Sequence, residues 1–333
     1  SAEGKLTWSH ARRSGLFMWL ADSEAVRQKM ETIARNEYTK SDDRSPVECS
    51  LYYLALRKKN VLQGLWRMAP GLREQKNTLK LLANNFEDPK WKTSALKNAY
   101  VLLSKRRFMY AAAFFLLGDA LKDAVNVCVH QLKDVQLAVA VARVYEGDDS
   151  VVLRNLLNDQ ILPDAVERGD RWCASWVYSM LGMKEKALQA LVRPLHSLLP
   201  EAGDKESMQA KHWRNYDPTL AIMYQQLRAE LAKDSRASYM RGVTEKEEWV
   251  FVLRCAAQYT RMGCDWLALD LVRNWNFLPR QQQTVALVEA AISEVARKDI
   301  TEEPVVMVAE MKKPPPTQFQ EPSASSLLDS FGF

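Results

Sequence analysis

Apolar positions along this chain recur at spacings of three and four, which is the mark of helices that bury one face. The blocks come in pairs: an apolar helix, a break of a few small or basic residues, then a second amphipathic helix starting almost at once. The stretch 108–117 runs to Gly118-Asp119, and 120–131 follows with Val125, Cys128, Val129 and Leu132 on one face. Positions 135–146 run to Gly147-Asp148 and then 151–157, and 172–181 run to Gly182 and then 183–192. Further on, 258–262 lead through Gly263 into 266–275. Glycine suits the residue after a helix because the closing position often needs positive φ, and an acidic neighbour can start the next helix.

Two further pairs break at basic residues instead. Tyr52 to Leu56 is followed by Arg57-Lys58-Lys59-Asn60 and a helix from Val61, and Tyr100 to Leu103 by Ser104-Lys105-Arg106-Arg107 and the helix at Phe108. The first three glycine breaks lie 29 and then 35 residues apart, the length of one antiparallel helix pair. The expected fold is therefore all-α, an α-solenoid of stacked antiparallel pairs. The segment 108–117 is apolar on nearly every side and must be covered on both flanks, which stacking provides.

Breaks in the pattern set the expected domain organisation. Ser41-Asp42-Asp43-Arg44-Ser45-Pro46 reads as a loop capping a helix that enters at Val47, and 84–91, with Pro89, as a turn. A first helical region covers 1–195, a loop 196–217, further helices 218–297 and a flexible tail 298–333. Helices are expected from Pro218 to about Asp234 and from Glu245 onward. Five of the 13 prolines fall in the last 33 residues, a composition that cannot bury enough apolar surface to fold alone.

Composition agrees with a folded helical chain. Of 333 residues 47% are hydrophobic and 26% charged, with 12 Gly and 13 Pro. That is too few turn formers for an all-β fold. The longest apolar runs, 109–117 and 135–142, fall short of the ~20 residues a membrane span requires. No signal peptide opens the chain; it begins Ser1-Ala2-Glu3 without an initiator Met, so a fragment of something larger is expected. The five scattered cysteines read as small buried hydrophobes of a reducing compartment. A net charge of +5 with interleaved signs lacks the concentrated basic face of a nucleic-acid binder.

Several stretches carry a family resemblance. Asn36-Glu37-Tyr38-Thr39-Lys40, Leu51-Tyr52-Tyr53-Leu54-Ala55-Leu56-Arg57-Lys58-Lys59, Gly64-Leu65-Trp66-Arg67 and Ala95-Leu96-Lys97-Asn98-Ala99-Tyr100 resemble the helical region of the DmX-like, or rabconnectin, proteins. So do 112–124, around Phe114-Phe115-Leu116-Leu117-Gly118-Asp119, and 138–147. The resemblance covers 8–194, with a weaker echo in 263–279, and a fungal member is expected. Fungal members are the large subunit of the RAVE complex, which regulates assembly of the vacuolar and endosomal proton-ATPase. The resemblance implies a cytoplasmic, membrane-recruited scaffold and not an enzyme. It implies as partners the V-ATPase peripheral stalk and bridging subunits, a smaller RAVE subunit and a Skp-type adaptor. It implies no catalytic residue and no cofactor.

The residues themselves give the same direction. His10, His130, His196 and His212 lack partners at metal-ligand spacing, and no phosphate-cradling loop or nucleophile elbow is present. The acid pairs Glu247-Glu248 and Asp148-Asp149 read as exposed caps. Trp66, Trp91, Trp172, Trp176 and Trp266 are expected in the core, with Trp172 and Trp176 on one helix face. Partner contacts are expected at a positive edge made by Arg57, Lys58, Lys59, Lys105, Arg106 and Arg107, unless these are only solvated last-turn cations. Trp213 in the polar loop is a candidate anchor, as are Leu327, Leu328 and Phe331 of the tail. A vesicle-coat or tethering solenoid is the alternative function.

Overall fold

A computed structural model describes residues 5–40, 43–69, 71–199, 217–233 and 242–277, and among these no strand occurs. All of them belong to one unit, Ser1–Phe277. Residues 200–216, with Trp213, and everything from 278 on, with Leu327, Leu328 and Phe331, lie outside the described residues.

In chain order the helices are α1 (Trp8–Arg13), α2 (Leu16–Trp19), α3 (Ser23–Tyr38), α4 (Pro46–Ala55), α5 (Lys59–Arg67), α6 (Gln75–Leu82), α7 (Pro89–Ser104), α8 (Phe108–Leu117) and α9 (Leu121–Asn126). Then come α10 (Val135–Tyr145), α11 (Val151–Leu156), α12 (Leu162–Arg168), α13 (Arg171–Met180), α14 (Lys184–Val192), α15 (Leu220–Lys233), α16 (Glu245–Arg261) and α17 (Asp265–Arg273). Wider π turns, Val127–Gln131 after α9 and Leu157–Ile161 between α11 and α12, extend the helices they join. Starts follow side-chain chemistry. Asp22, Asp134, Ser150 and Asp170 accept the first free backbone N–H groups of their helices, and Pro46 and Pro89 sit in first turns, where no N–H is missed.

One corner joins five of the helix pairs. After α4, α7, α8, α13 and α16 the next residue but one is left-handed: Arg57 (φ 59), Arg106 (58), Asp119 (62), Gly182 (74) and Gly263 (76). The residue after it closes the helix with a bond back to the carbonyl five positions earlier: Lys58 to Tyr53, Arg107 to Leu102, Ala120 to Phe115, Met183 to Tyr178 and Cys264 to Tyr259, at 2.8–3.0 Å. That residue then starts the next helix. The breaks at Gly118, Gly182 and Gly263 and the two basic breaks are thus the same turn, whereas Gly147 (φ 94) is followed by a longer link to Ser150, the cap of α11. Gly118 departs from the reading given above: its φ is −84, and Asp119, not a cap, takes the left-handed position. Glycine is needed there for closeness, since a Cβ would lie 2.6 Å from Leu96 Cδ2 and 3.3 Å from the Lys92 carbonyl.

Most sequential helices pack together, and α4, α8 and α10 also meet non-sequential neighbours: α4 with α8, and α10 with α2, α3 and α4. Alanines make this closeness possible: Ala111, Ala112 and Ala113 of α8 and Ala138, Ala140 and Ala142 of α10 are all fully buried. One core extends from Ala11 to Leu195, and a second, smaller one from Leu188 to Trp275. Helix α14 is the seam. Its Ala187 and Ala190 face the first core, while Leu188, Leu191 and Val192 face the second.

The N-terminal segment runs along this stack as a strap. The Trp8 indole donates to Asp134 (2.8 Å) and its backbone N–H to Glu37 (2.8 Å). The buried Arg143 guanidinium donates to the Phe17 carbonyl and pairs with Asp148. Trp176 donates to the Met18 carbonyl, and Trp19 meets Trp172 edge-on at 5.8 Å.

The tryptophans divide. Trp66 and Trp176 are buried, Trp91 and Trp172 half-buried, and Trp266 is 77% exposed. Its expected place in the core is therefore corrected: helical period puts Trp266 on the outer face of α17, which among the described helices packs chiefly on α16. The acid pair Glu247-Glu248 divides too. Glu247 completes a capping box with Thr244, but Glu248 is only 7% exposed and accepts from Tyr224 (3.1 Å), Trp275 (2.9 Å) and Arg228. A carboxylate so enclosed is acceptable because three donors replace its water.

Candidate interaction surfaces

The first basic corner is held by its own fold. Arg57 stacks over the Tyr145 ring at 3.9 Å, donates to the Tyr145 carbonyl (3.3 Å) and lies 3.9 Å from Asp119. Lys58 pairs with Glu31 at 2.7 Å, and Lys59 donates to the Asn84 carbonyl (2.8 Å) across the Phe86 ring. The Lys58 hydrogen bond, then that of Arg35, pulls the Glu31 carboxyl below its usual range. Arg57 and Lys59 join Lys92, Phe86, Asp119 and Tyr145 around a cavity of about 360 Å³. Asp119 is the hub: it accepts from Lys92 (2.8 Å) and from the Tyr145 hydroxyl (2.8 Å). Lys92 is the main reason its carboxyl titrates low.

The second basic corner behaves differently. Arg107 is paired with Glu74 and sits over Tyr110. Lys105 and Arg106 make no ion pair among the described residues, and Lys105 lines a larger groove of about 1100 Å³ between α6, α7 and α8. The two corners therefore line different concavities. The sequence reading did not single out Arg73 or Lys80 and assigned Trp91 to the core, yet all three share the groove with Lys105. The helical period of α7 does place Trp91, Asn98, Val101, Leu102 and Lys105 on one face, and that could have found the α7 side of the groove, though not Arg73 and Lys80.

Among the described residues no three metal-ligating side chains come together. The cysteines there are all unpaired. Burial pushes the thiols of Cys49, Cys173 and Cys255 up to about 12, where the nucleophilic thiolate is scarce. No helix among the described residues is long and apolar enough to cross a membrane.

Together these features define an all-α protein of helix pairs joined by short corners, with open, cation-lined concavities. More particularly, the chain belongs to the family described as RAVE protein 1 C terminal, which matches residues 1–271. It is 40% identical over 342 aligned residues to the Saccharomyces cerevisiae protein named regulator of V-ATPase in vacuolar membrane protein 1, covering 98% of this chain and 25% of that one. The Schizosaccharomyces pombe protein of the same name is 38% identical, with 82% of this chain and 22% of the relative covered. The mouse DmX-like protein 1 is 39% identical over 160 residues, 47% of this chain and 5% of the relative. The chain spans about a quarter of the length of the yeast relatives.

Proposed function

We propose that this chain is the helical scaffold portion of a V-ATPase regulator, acting by protein binding and not by catalysis. The observation that carries the reading is the family match over residues 1–271 with yeast regulators of V-ATPase. The recurrent corner supports it: helices joined this way form hairpins whose stacking gives a solenoid, and solenoids offer long separable contact surfaces. In this reading the stack holds the pump's peripheral stalk and bridging subunits, with the smaller RAVE subunit and a Skp-type adaptor beside them. Subunits held together meet at high effective concentration, so their reassembly becomes effectively intramolecular. Recruitment is to the cytoplasmic face of vacuolar and endosomal membranes. A pull-down of the chain against separated V-ATPase subunits and the smaller RAVE subunit tests it. Retention of a stalk or bridging subunit supports the proposal. Self-association at micromolar concentration with no affinity for any of them would favour a coat or tether instead.

A further inference from the structure

The groove between α6, α7 and α8 combines two chemistries. Its accessible apolar surface comes from Leu81, Trp91, Val101 and Leu102, over a floor closed by the buried Tyr110 and Phe114. Val101 is half exposed although it sits beside these apolar neighbours. Along the walls stand Arg73 and Lys80 from the α6 side and Lys105 at the end of α7. None of the three is paired with an acid among the described residues, and the lining's one acid, Glu74, is taken by Arg107. An apolar trough with surplus positive charge on its walls calls for a ligand that is apolar on one side and acidic on the other.

Size and backbone chemistry narrow the class. At about 1100 Å³ the groove exceeds what a typical small ligand fills. From Trp91 to Lys105 the α7 wall is about 21 Å long, room for roughly fourteen residues of helix. Helical walls offer no strand edge, so an extended peptide would leave its amides without partners, whereas a helix satisfies its own. We propose that this groove receives an acidic amphipathic helix from a partner protein, with its apolar stripe on Leu81, Trp91, Val101 and Leu102 and its carboxylates toward Arg73, Lys80 and Lys105. The proposal rests on the scaffold reading, for which it supplies the chemistry of one contact.

The test uses the full chain and two fluorescent peptides of about fourteen residues. Each carries Leu at i, i+3, i+4 and i+7, with Glu elsewhere in one and Lys elsewhere in the other. Anisotropy should show the Glu peptide binding about tenfold or more tighter than the Lys peptide, and weakening between about 0.05 and about 0.5 M salt. Asn98→Trp, which fills the trough from an exposed position, and the double variant Lys80→Glu/Lys105→Glu should each cost about tenfold, with helical circular dichroism unchanged. Binding of neither peptide, equal binding of both, or indifference to these variants overturns the proposal. It is also overturned if phosphatidylserine vesicles bind in a Lys80- and Lys105-dependent way and displace the Glu peptide, which assigns the groove to a lipid surface. Self-association abolished by Asn98→Trp would assign it to a second copy. If Asn98→Trp still retains every pump subunit that the parent chain retains, the groove proposal falls while the scaffold reading stands; if the parent retains none but binds the Glu peptide, the reverse holds.

Discussion

At the corners, a left-handed residue other than glycine carries a backbone cost of about 1 kcal/mol, and the three that occur do not have the same compensation. Arg57 recovers it through the Tyr145 ring and carbonyl, contacts that together are worth about 1 kcal/mol at a half-exposed site. Arg106 has no such anchor among the described residues. Arg106→Gly should therefore stabilise the chain by about 0.5–1 kcal/mol, while Arg57→Gly should be close to neutral, both read from urea midpoints. Equal effects at the two sites would mean that the Tyr145 contact contributes nothing. The glycines separate in the same way. Gly118→Ala meets Leu96 and should cost about 1–3 kcal/mol by overpacking. Gly182→Ala has open space but positive φ and should cost only about 1 kcal/mol. A milder loss at Gly118 than at Gly182 would contradict the packing explanation. Spacing alone located these turns, but it could not tell a glycine kept for φ from one kept for room. That distinction needs the neighbouring helix.

Among the elements, the strap and the α14 seam carry the longest-range ties. Arg143 is nearly inaccessible and serves both the Phe17 carbonyl and Asp148. Its loss strands a buried carbonyl and frees a carboxylate, so Arg143→Ala should lower stability by about 3 kcal/mol. A loss under about 1 kcal/mol would mean that the strap is only loosely laid. Across the second core, Arg193 holds Glu247 at 2.8 Å. This ion pair is the largest reason that the Glu247 carboxyl falls from 4.5 to about 2, with the Thr244 backbone and hydroxyl adding to it against the cost of burial. A carboxyl lowered in the folded state stabilises it above the unfolded value and loses that contribution as pH falls from 4.5 toward 2. Glu247→Gln should accordingly flatten the acid limb of α16 unfolding in that window, followed by the fluorescence of Trp249 and Trp275 in single-site tryptophan backgrounds. An unchanged acid limb would remove Glu247 as its source. Most helices were legible from period and caps: α8, α13 and α16 stand where the apolar pattern put them. The strap was not, because Trp8 and Asp134 are 126 positions apart and no local pattern relates them. Glu248 was misjudged for the same reason, its donors coming from α15 and from beyond α17.

For the molecule as a whole, the all-α class followed from period and turn scarcity, and the family from motifs in 36–147. The candidate surface was only half legible. Last-turn cations could be seen, but whether each is consumed inside the fold depends on partners such as Glu31, Asn84 and Tyr145. Only the structure separates Lys105, which faces an open groove, from Arg57, which the fold uses itself. The most direct test is calorimetric titration of this chain into the detached peripheral sector of the V-ATPase, with nucleotide and divalent metal as parallel titrants. Saturable binding to the sector, with no heat from nucleotide or metal alone, is the expected result. Heat from nucleotide or metal at a single site, with none from the pump's subunits, would contradict it.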